Sequence, residues 1–431
     1  MGWRGIGGLA LLATALFLLP AAARTCDPMS FGAKADGKTK DTKAIQAAID
    51  DCAAKGGGTV TLAYGVYLSA PIVLKSNITL EVKHDATLLG SPDHNDYPQA
   101  TVFRAPGRQS LISAVNANNI TITGTGTIDG NGASWWRDAN GQRASGIMGQ
   151  IVFRPRLIVF DHSRHIRISG VTVQNSPSWQ IVPYYCDDVS IRGITVLAPA
   201  DSPNTDAINP FSSSNVTISN VTADVGDDNI AIKSGKGQEG VRIGRPCEDI
   251  LIANCTFIKG YTSIAFGSEL SGGIRNVRIS HCTFKRGLAA LQLKSRAGRG
   301  GYLENVEADH LTVGPEPLLE LESNYSYNAD PQGVPGVDGI TRFSNVRISD
   351  VTVNSTNLFR IMGTVEKPVD GLRISHVTGT CKKGSVIENA RDMVLSDVRL
   401  DGVLGPAYFT NNVEGSGFDG AAPLESRSGK R

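Results

Sequence analysis

A short repeat with β-strand character recurs from residue 119 to about residue 400 and constrains the fold more than any other feature. Each copy begins at a turn residue, continues with residues that alternate β-branched with polar side chains, and adds a second short strand-like run after a break. Successive copies mostly start 21 to 34 residues apart. The copies begin at Asn119, His165, Asp188, Asn215, Asp249, Asn276, Asn305, Asn345, Gly371 and Asp392.

One such unit cannot bury its own apolar side chains, whereas stacked units place Ile, Val and Leu of successive coils in a continuous core. Two or three short strands per coil favour an all-β fold, a parallel β-helix of about ten coils. A leucine-rich repeat is the alternative solenoid, but its leucine frame is missing. The longer gaps after Asn119 and Asn305 predict insertions rich in Gly and Pro.

One segment before the repeat has helical spacing, and it predicts a helix over residues 39–54. Asp41 stands near its start and three glycines follow it at residues 56–58. We expect this helix to cap the open end of the solenoid and to block edge-to-edge pairing there. Strands are predicted next at residues 59–62, 78–82 and 120–122.

Both ends of the chain differ in composition from the repeat. Residues 1–23 combine Arg4, an apolar run and three final alanines, which is typical of a secretory signal peptide and too short to span a bilayer comfortably. Residues 24–413 are predicted to form a single β-helix domain, and residues 414–431 a disordered tail of low apolar content. We therefore expect a protein that is secreted or periplasmic, monomeric and free of the membrane once the signal is removed.

Charge and cysteine content narrow the function classes. The net charge of +1, without runs of Lys or Arg, gives no sign of a nucleic-acid partner. Cys26 and Cys52 flank the predicted helix and can form a disulfide in an oxidising compartment. Cys255 and Cys282 share one sequence context, which fits stacked free thiols at least as well as a disulfide. No grouping of Cys or His has metal-ligand spacing, so we expect no metal and no cofactor.

Three carboxylates stand about one predicted coil apart. Asp206 precedes two short β-like runs, and the adjacent Asp227 and Asp228 follow them, with no Lys or Arg in between. If the chain winds as a coil, the three side chains share one patch of surface, where like charges raise at least one pKa. A raised pKa beside a lower one suits a general acid and a general base. The simpler interpretation, that these residues only occupy turns, applies to most isolated Asp pairs.

Longer sequence motifs, two of which contain the three acids, occur along most of the chain. The sequence contains FGAKADGKTKDTKAIQAAID, RPRLIVF, NSPSWQIVPYYCDDVSI, APADSPNTD, GDDNIAIKSG, GSELSGGIRNV and GRGGYLENV. Together they resemble glycoside hydrolase family 28, the pectin-degrading polygalacturonases, and more closely its bacterial exo-acting branch. The resemblance covers most of the chain after residue 23, and its most specific part is the pair NTD and GDD. It implies a right-handed parallel β-helix with a cleft along one face.

The resemblance also implies roles for single residues in an inverting hydrolysis of glycosidic bonds. Asp227 would be the general acid that protonates the departing sugar oxygen. Asp206 and Asp228 would hold and deprotonate the attacking water. Asn204 would orient that water or hold the substrate, although a turn amide is an equally good interpretation.

Three departures from the family pattern concern substrate binding. The family has a histidine where this chain has Tyr261, or Thr262 if the loop is counted one residue shorter. The family motif Arg-x-Lys, which grips a substrate carboxylate, reads Gln292-Leu293-Lys294 here, so the bidentate arginine is absent. The motif NTDAINP also carries Ala207 and Asn209 where Gly and Asp are common.

The primary function prediction is hydrolysis of α-1,4-linked galacturonic acid bonds in pectic polysaccharide or oligosaccharide. Because the substrate-reading residues have changed, a rhamnogalacturonan-type hydrolase is the alternative. Two other classes are a β-helical pectate lyase, in which the clustered acids bind calcium, and a non-catalytic pectin binder. Lyase action creates an ultraviolet-absorbing double bond, and loss of turnover in an Asp227 variant separates an enzyme from a binder.

Overall fold

A computed structural model of the protein describes residues 24–146, 152–325 and 332–424. Strands pair in parallel with strands one coil away and form three strand columns around one apolar core. This is the right-handed parallel β-helix expected from the sequence, and the fold prediction is confirmed. The predicted signal peptide, residues 1–23, lies outside the described residues.

Three strand columns, named here in the order in which each coil visits them, account for nearly all the pairing. Column 1 contains Thr25–Cys26, Gly58–Leu62, Ile78–Val82, Asn118–Gly124, Arg164–Ser169, Asp187–Arg192, Ser214–Ser219, Cys247–Ala253 and Ile274–Ser280. Column 2 contains Asp36–Lys40, Gly65–Ser69, Ala86–Gly90, Thr127–Asp129, Thr172–Gln174, Thr195–Leu197, Thr222–Asp224, Thr256–Lys259 and Thr283–Phe284. Column 3 contains Ile72–Val73, Ile112–Val115, Ile158–Asp161, Ile181–Tyr184, Ile230–Ile232, Ile264–Gly267, Leu291–Lys294, Leu319–Glu322 and Phe359–Met362.

Towards the C-terminal end the strands lengthen and run through more than one column. These are Tyr302–Val313, Arg342–Ser355, Val369–Cys381, Lys383–Asp401 and Leu404–Ser416, followed by the short strand Ala422–Pro423. One antiparallel hairpin, Gln99–Val102 with Ala105–Arg108, stands apart from the columns. Short 3-10 helices occur at Pro28–Phe31, His94–Asp96 and Gly336–Gly339.

The residue that begins each predicted repeat adopts a left-handed backbone conformation. All ten have positive φ, from 47° at Asp392 to 67° at Gly371. Asn, Asp, His and Gly tolerate this region far better than β-branched residues do, which explains why they recur there. Several of these side chains also bond from coil to coil: Asn345 donates to Asn305 at 2.6 Å and Asn119 donates to Asn77 at 2.9 Å.

The predicted cap helix is present as α1, Thr42–Ala54. It begins three residues later than predicted because Asp36–Lys40 is a strand, and the Asp41 carboxylate accepts the Lys34 and Ala35 amides. Its apolar face is buried against the first strands of the solenoid. A disulfide joins Cys26 to Cys52, whereas Cys255 and Cys282 are buried free thiols.

The described residues contain two further helices that were not predicted: α2, Ala133–Ala144, and α3, Gly237–Ile243. The apolar residues of α2 have no clear helical period, so no helix was predicted there. Tertiary contacts hold this helix instead. Trp135 is buried against His94 and Tyr97, and Trp136 Nε1 donates to the Ser176 carbonyl at 2.9 Å.

The predicted boundary at residue 413 is wrong. The strand Leu404–Ser416 continues past it, and Ala422–Pro423 pairs with Phe409 and Thr410 of that strand. Phe418 and Ala421 pack against the core, so residues 414–424 continue the solenoid instead of forming a tail. Residues 425–431 lie outside the described residues. Within the described part of the chain, the helices are all too short or too polar to cross a membrane.

Candidate active site

Column 3 brings the three predicted acids together. Ile208 bridges to Ile181 on the coil before and to Ile230 on the coil after. Asp206 stands two residues before Ile208, and Asp228 stands two residues before Ile230, so the two acids occupy the same position on adjacent coils. The Ala207 amide donates to the Asp228 carbonyl at 3.0 Å, which fixes this register. The coil geometry expected from the sequence spacing is therefore present.

The three carboxylates form a compact cluster. One carboxylate oxygen from each of Asp206, Asp227 and Asp228 lies within 4.8 Å of the others. Asp206 and Asp228 are each only 3% exposed, whereas Asp227 lines an open cavity. Burial, followed by the neighbouring Asp227, raises the pKa of Asp206 well above its ordinary value. Burial, followed by Asp228, likewise raises the pKa of Asp227, which suits a proton donor.

Two lysines also belong to this cluster, although none stands between the acids in sequence. Lys294 Nζ donates to Asp228 Oδ2 at 3.0 Å. Lys233 is buried and pairs with Glu269 at 3.2 Å. Burial alone would raise the pKa of Glu269, but Lys233 lowers it to about 2. Conversely, burial would lower the pKa of Lys233, but Glu269 and Asp206 raise it, so both partners favour the charged form.

Asn204 is held by two arginines and touches the predicted acid. Its Oδ1 accepts hydrogen bonds from Arg154 Nη2 at 2.6 Å and from Arg143 Nη2 at 3.0 Å. Its Nδ2 donates to Asp227 Oδ2 at 3.3 Å. Asn204 therefore does more than satisfy a turn, because it links the cations to Asp227. Arg143, on α2, was missed by the sequence analysis, and Arg154 was quoted in RPRLIVF without a role.

The residues that depart from the family pattern lie at different depths. Tyr261 is 55% exposed and lines the cavity beside Asp227, with Lys294 Nζ 5.7 Å from its ring centroid. Thr262 is fully buried, in register with Asp228, and its hydroxyl donates to Gln292 Oε1 at 2.8 Å. Gln292 is only 6% exposed and is not among the residues that line the cavity. The amide therefore serves an internal hydrogen bond in this structure.

Asn209, the other departure, supports an acid directly. Its Nδ2 donates to Asp206 Oδ2 at 2.8 Å, and both side chains are buried. This hydrogen bond lowers the pKa of Asp206 and partly opposes the effect of burial. An aspartate at this position would be a fourth carboxyl and could donate only when protonated.

The cavity at the cluster has a volume of about 440 Å³. Acidic, basic and aromatic side chains all reach it, together with the loop that precedes Asn204. It is lined by Arg143, Ala200, Asp201, Ser202, Pro203, Gly226, Asp227, Tyr261 and Lys294.

The antiparallel hairpin covers column 3 on the N-terminal side of this cavity. Its tip is a two-residue turn, Phe103 and Arg104, with φ of 52° and 63°. Phe103 packs on Tyr184 and Phe211, whose side chains point outwards from column 3. Phe211 lies on the same coil as Asp206, and Tyr184 lies on the coil before it. The outer face of column 3 is thus covered on that side.

Alternating cationic and aromatic side chains lie between the hairpin tip and the acids. The Arg156 guanidinium lies 5.1 Å from the ring centroids of both Phe103 and Trp179. Lys233 Nζ lies 4.9 Å from the Trp179 ring centroid, and the amide after Trp179 donates to the Asp206 carbonyl. Burial lowers the pKa of Arg156 to about 10, with Asp206 and Glu269 opposing that shift.

The distances between the carboxylates and the nearby lysines bear on two questions, inversion at the sugar and calcium binding. The carboxylate oxygens are closer together than the 6.5–9.5 Å between carboxyl groups that is typical of inverting glycosidases, so the spacing does not itself predict inversion. Calcium binding requires about six to eight oxygen ligands. Here the Lys294 ammonium already lies against Asp228, with Lys233 nearby, and these cations oppose calcium at the cluster.

Known proteins share this sequence and fold. The profile of glycosyl hydrolases family 28 matches residues 57–403. A probable polygalacturonase of Vitis vinifera is 35% identical over 376 residues, which span 83% of this chain and 74% of that protein. The exopolygalacturonase of Thermotoga maritima is 27% identical, with a TM-score of 0.69 over 91% of this chain and 92% of that one. A family 28 exopolygalacturonase of Yersinia enterocolitica, at 24% identity, has the same fold, with a TM-score of 0.81 over 94% and 80% of the two chains. Because the matched region covers most of the chain and includes all three clustered acids, the protein belongs to glycosyl hydrolase family 28.

Proposed function

We propose that the protein hydrolyses α-1,4-linked galacturonic acid bonds in pectic polysaccharide and cuts close to a chain end. The observation that carries the proposal is the buried carboxylate cluster beside a cavity that also presents cations. Relatives named as polygalacturonases and exopolygalacturonases support the substrate class.

In this proposal Asp227 is the general acid. It is the member of the cluster that lines the cavity, and the burial that raises its pKa favours the protonated form that a general acid needs. Asp206 and Asp228 hold the attacking water and remove its proton. Asn204 orients Asp227 through its 3.3 Å hydrogen bond. Inversion is expected from family membership, and proton NMR of the first anomer released tests it.

Galacturonate recognition would rest on the cations of the cavity. Lys294 and Arg143 line it, and each can pair with a sugar carboxylate. Tyr261 offers an exposed ring on which a sugar face can pack. Gln292 supplies no guanidinium, so rhamnogalacturonan remains the second candidate substrate. Initial rates on polygalacturonate and on rhamnogalacturonan separate the two, and the absence of absorbing unsaturated products argues against a lyase.

The covered side of column 3 supports the proposal of attack near a chain end. A polymer cannot continue across coils whose outward side chains are packed beneath Phe103. The test is a Phe103→Asn/Arg104→Gly variant, because Asn-Gly favours the same two-residue turn while removing the aromatic plug. The wild type should release short products from the first minutes, and the variant should also release longer oligomers. Long oligomers from the wild type itself would refute attack at the chain end.

Export as a monomer completes the proposal. The signal-like residues 1–23 and the Cys26–Cys52 disulfide both fit an oxidising compartment outside the cytoplasm. N-terminal sequencing of the protein from culture medium or periplasm tests the cleavage after residue 23. Light scattering tests the monomer.

A further inference from the structure

A row of polar side chains follows the turn between columns 1 and 2, away from the acids of column 3. Its members occupy one register position on successive coils, and all have φ between 51° and 56°. The row consists of Asn220, Asn254, His281, His310, Asp350, His376 and Asp397. Two adjacent coils therefore present histidines side by side.

His281 and His310 form a parallel pair with a carboxylate beside it. Their ring centroids are 4.6 Å apart and their planes differ by 5°. Asp309 Oδ1 lies 2.8 Å from His310 Nδ1. One ligand atom from each of the three residues lies within 4.8 Å of the others. Two stacked imidazoles and one carboxylate thus lie side by side on the surface.

We propose that His281, Asp309 and His310 bind one divalent transition-metal cation of the zinc class. Imidazole nitrogen and carboxylate oxygen suit such cations, and three protein ligands leave a fourth position for water. Metal–nitrogen bonds of about 2.0–2.1 Å place two ligand atoms of a tetrahedral site about 3.4 Å apart, so ligand atoms now within 4.8 Å must close by up to about 1.4 Å and the parallel rings must turn towards each other. Both imidazoles are exposed and can rotate to do so. The bound cation would join two neighbouring coils.

Arg278 competes for the carboxylate in the metal-free protein. Its Nη2 lies 3.0 Å from Asp309 Oδ2. Metal binding must displace or share this contact, so removing the guanidinium should tighten binding. An Arg278→Gln variant therefore reports on the carboxylate without removing any of the three ligands.

The chain provides matched replacements for the histidines. Asn220 and Asn254 occupy the same left-handed position, so His281→Asn and His310→Asn should preserve the turn. His376→Asn is the control, because His376 belongs to the row but lies two coils beyond His310.

The experiment measures Zn²⁺ bound per chain by equilibrium dialysis, together with the melting temperature with and without Zn²⁺. The wild type and His376→Asn should each bind one ion and gain about 3 °C at 100 times the dissociation constant. His281→Asn and His310→Asn should each lose at least tenfold in affinity, and Arg278→Gln should gain. Equal affinity in all variants, an equal loss in His376→Asn, or the same stabilisation by Ca²⁺ would overturn the proposal.

Discussion

Replacing Asp227 with Asn removes the proposed proton donor with little change in shape. The amide oxygen can still accept the Asp228 amide, which donates to Asp227 at 2.9 Å in the wild type. The introduced NH₂ group takes the place of Oδ2, which accepts from Asn204 Nδ2, so the 3.3 Å hydrogen bond is lost at a cost of about 0.5–1.5 kcal/mol. Removing one of three clustered carboxyls offsets this cost, because burial and Asp228 both disfavour the ionised form of Asp227.

We therefore expect a folded variant with a large loss of turnover. General acid catalysis is worth roughly 10²–10⁴-fold, which corresponds to about 2.7–5.4 kcal/mol of transition-state stabilisation. The melting temperature at neutral pH should be unchanged or higher, because a carboxyl whose pKa rises on folding destabilises the folded wild type at any pH above the ordinary carboxyl pKa. Binding of galacturonate oligomers should persist.

The assay compares two leaving groups. Release of reducing ends from polygalacturonate needs protonation of a sugar oxygen, whereas an aryl galacturonide with a good leaving group needs little. Asp227→Asn should lose far more activity on the polymer than on the aryl substrate, and Asn204→Ala should show a smaller loss on both. Near-full activity on the polymer, or equal losses on the two substrates, would show that Asp227 is not the acid.

Three other perturbations follow from the described contacts. Asn209→Asp removes an amide donor from Asp206 and adds a carboxyl, so the pKa of that proposed base rises and the acid limb of the kcat/KM profile should move to higher pH; an unmoved limb argues against Asp206 as base. Gln292→Arg, tested with and without Tyr261→His, replaces the amide that Thr262 binds with a longer guanidinium; if that group extends into the cavity and pairs with a sugar carboxylate, the preference for polygalacturonate over rhamnogalacturonan should rise by about tenfold. If that preference is the same in all four proteins, other residues select the sugar. Cys52→Ser should lower the free energy of unfolding by about 3.5 kcal/mol for a separation of 26 residues, and a reducing agent should bring the wild type to the same value in denaturant titration.

The sequence predicted the elements whose signals are local. Each coil carries its own turn residue and its own alternation, so the two short strand-like runs between Asp206 and Asp227 indicated that the three acids come together one coil apart. The disulfide and the cap helix were predictable for the same reason, since Cys26 and Cys52 flank a segment with helical spacing.

The parts that were missed depend on contacts distant in sequence. Arg143 reaches Asn204 across 61 residues from a helix without helical periodicity, and Lys294 reaches Asp228 across 66 residues. The motif predicted Gln292 to be a substrate-binding residue. A motif gives the position of a side chain in the fold but not its hydrogen-bond partner. The buried hydroxyl of Thr262, one coil earlier, takes that amide instead.

The row of left-handed residues that begins each repeat has a consequence for how the length of this protein can change. Adding or removing one residue inside a strand would turn every following side chain of that strand from core to solvent, or the reverse. Adding or removing an entire coil leaves each turn residue above its neighbour, as Asn305 lies above Asn276. Length can therefore change only in steps of about 4.8 Å along the axis. The reach of the cleft along a sugar chain should change in the same discrete steps, through duplication or loss of whole coils.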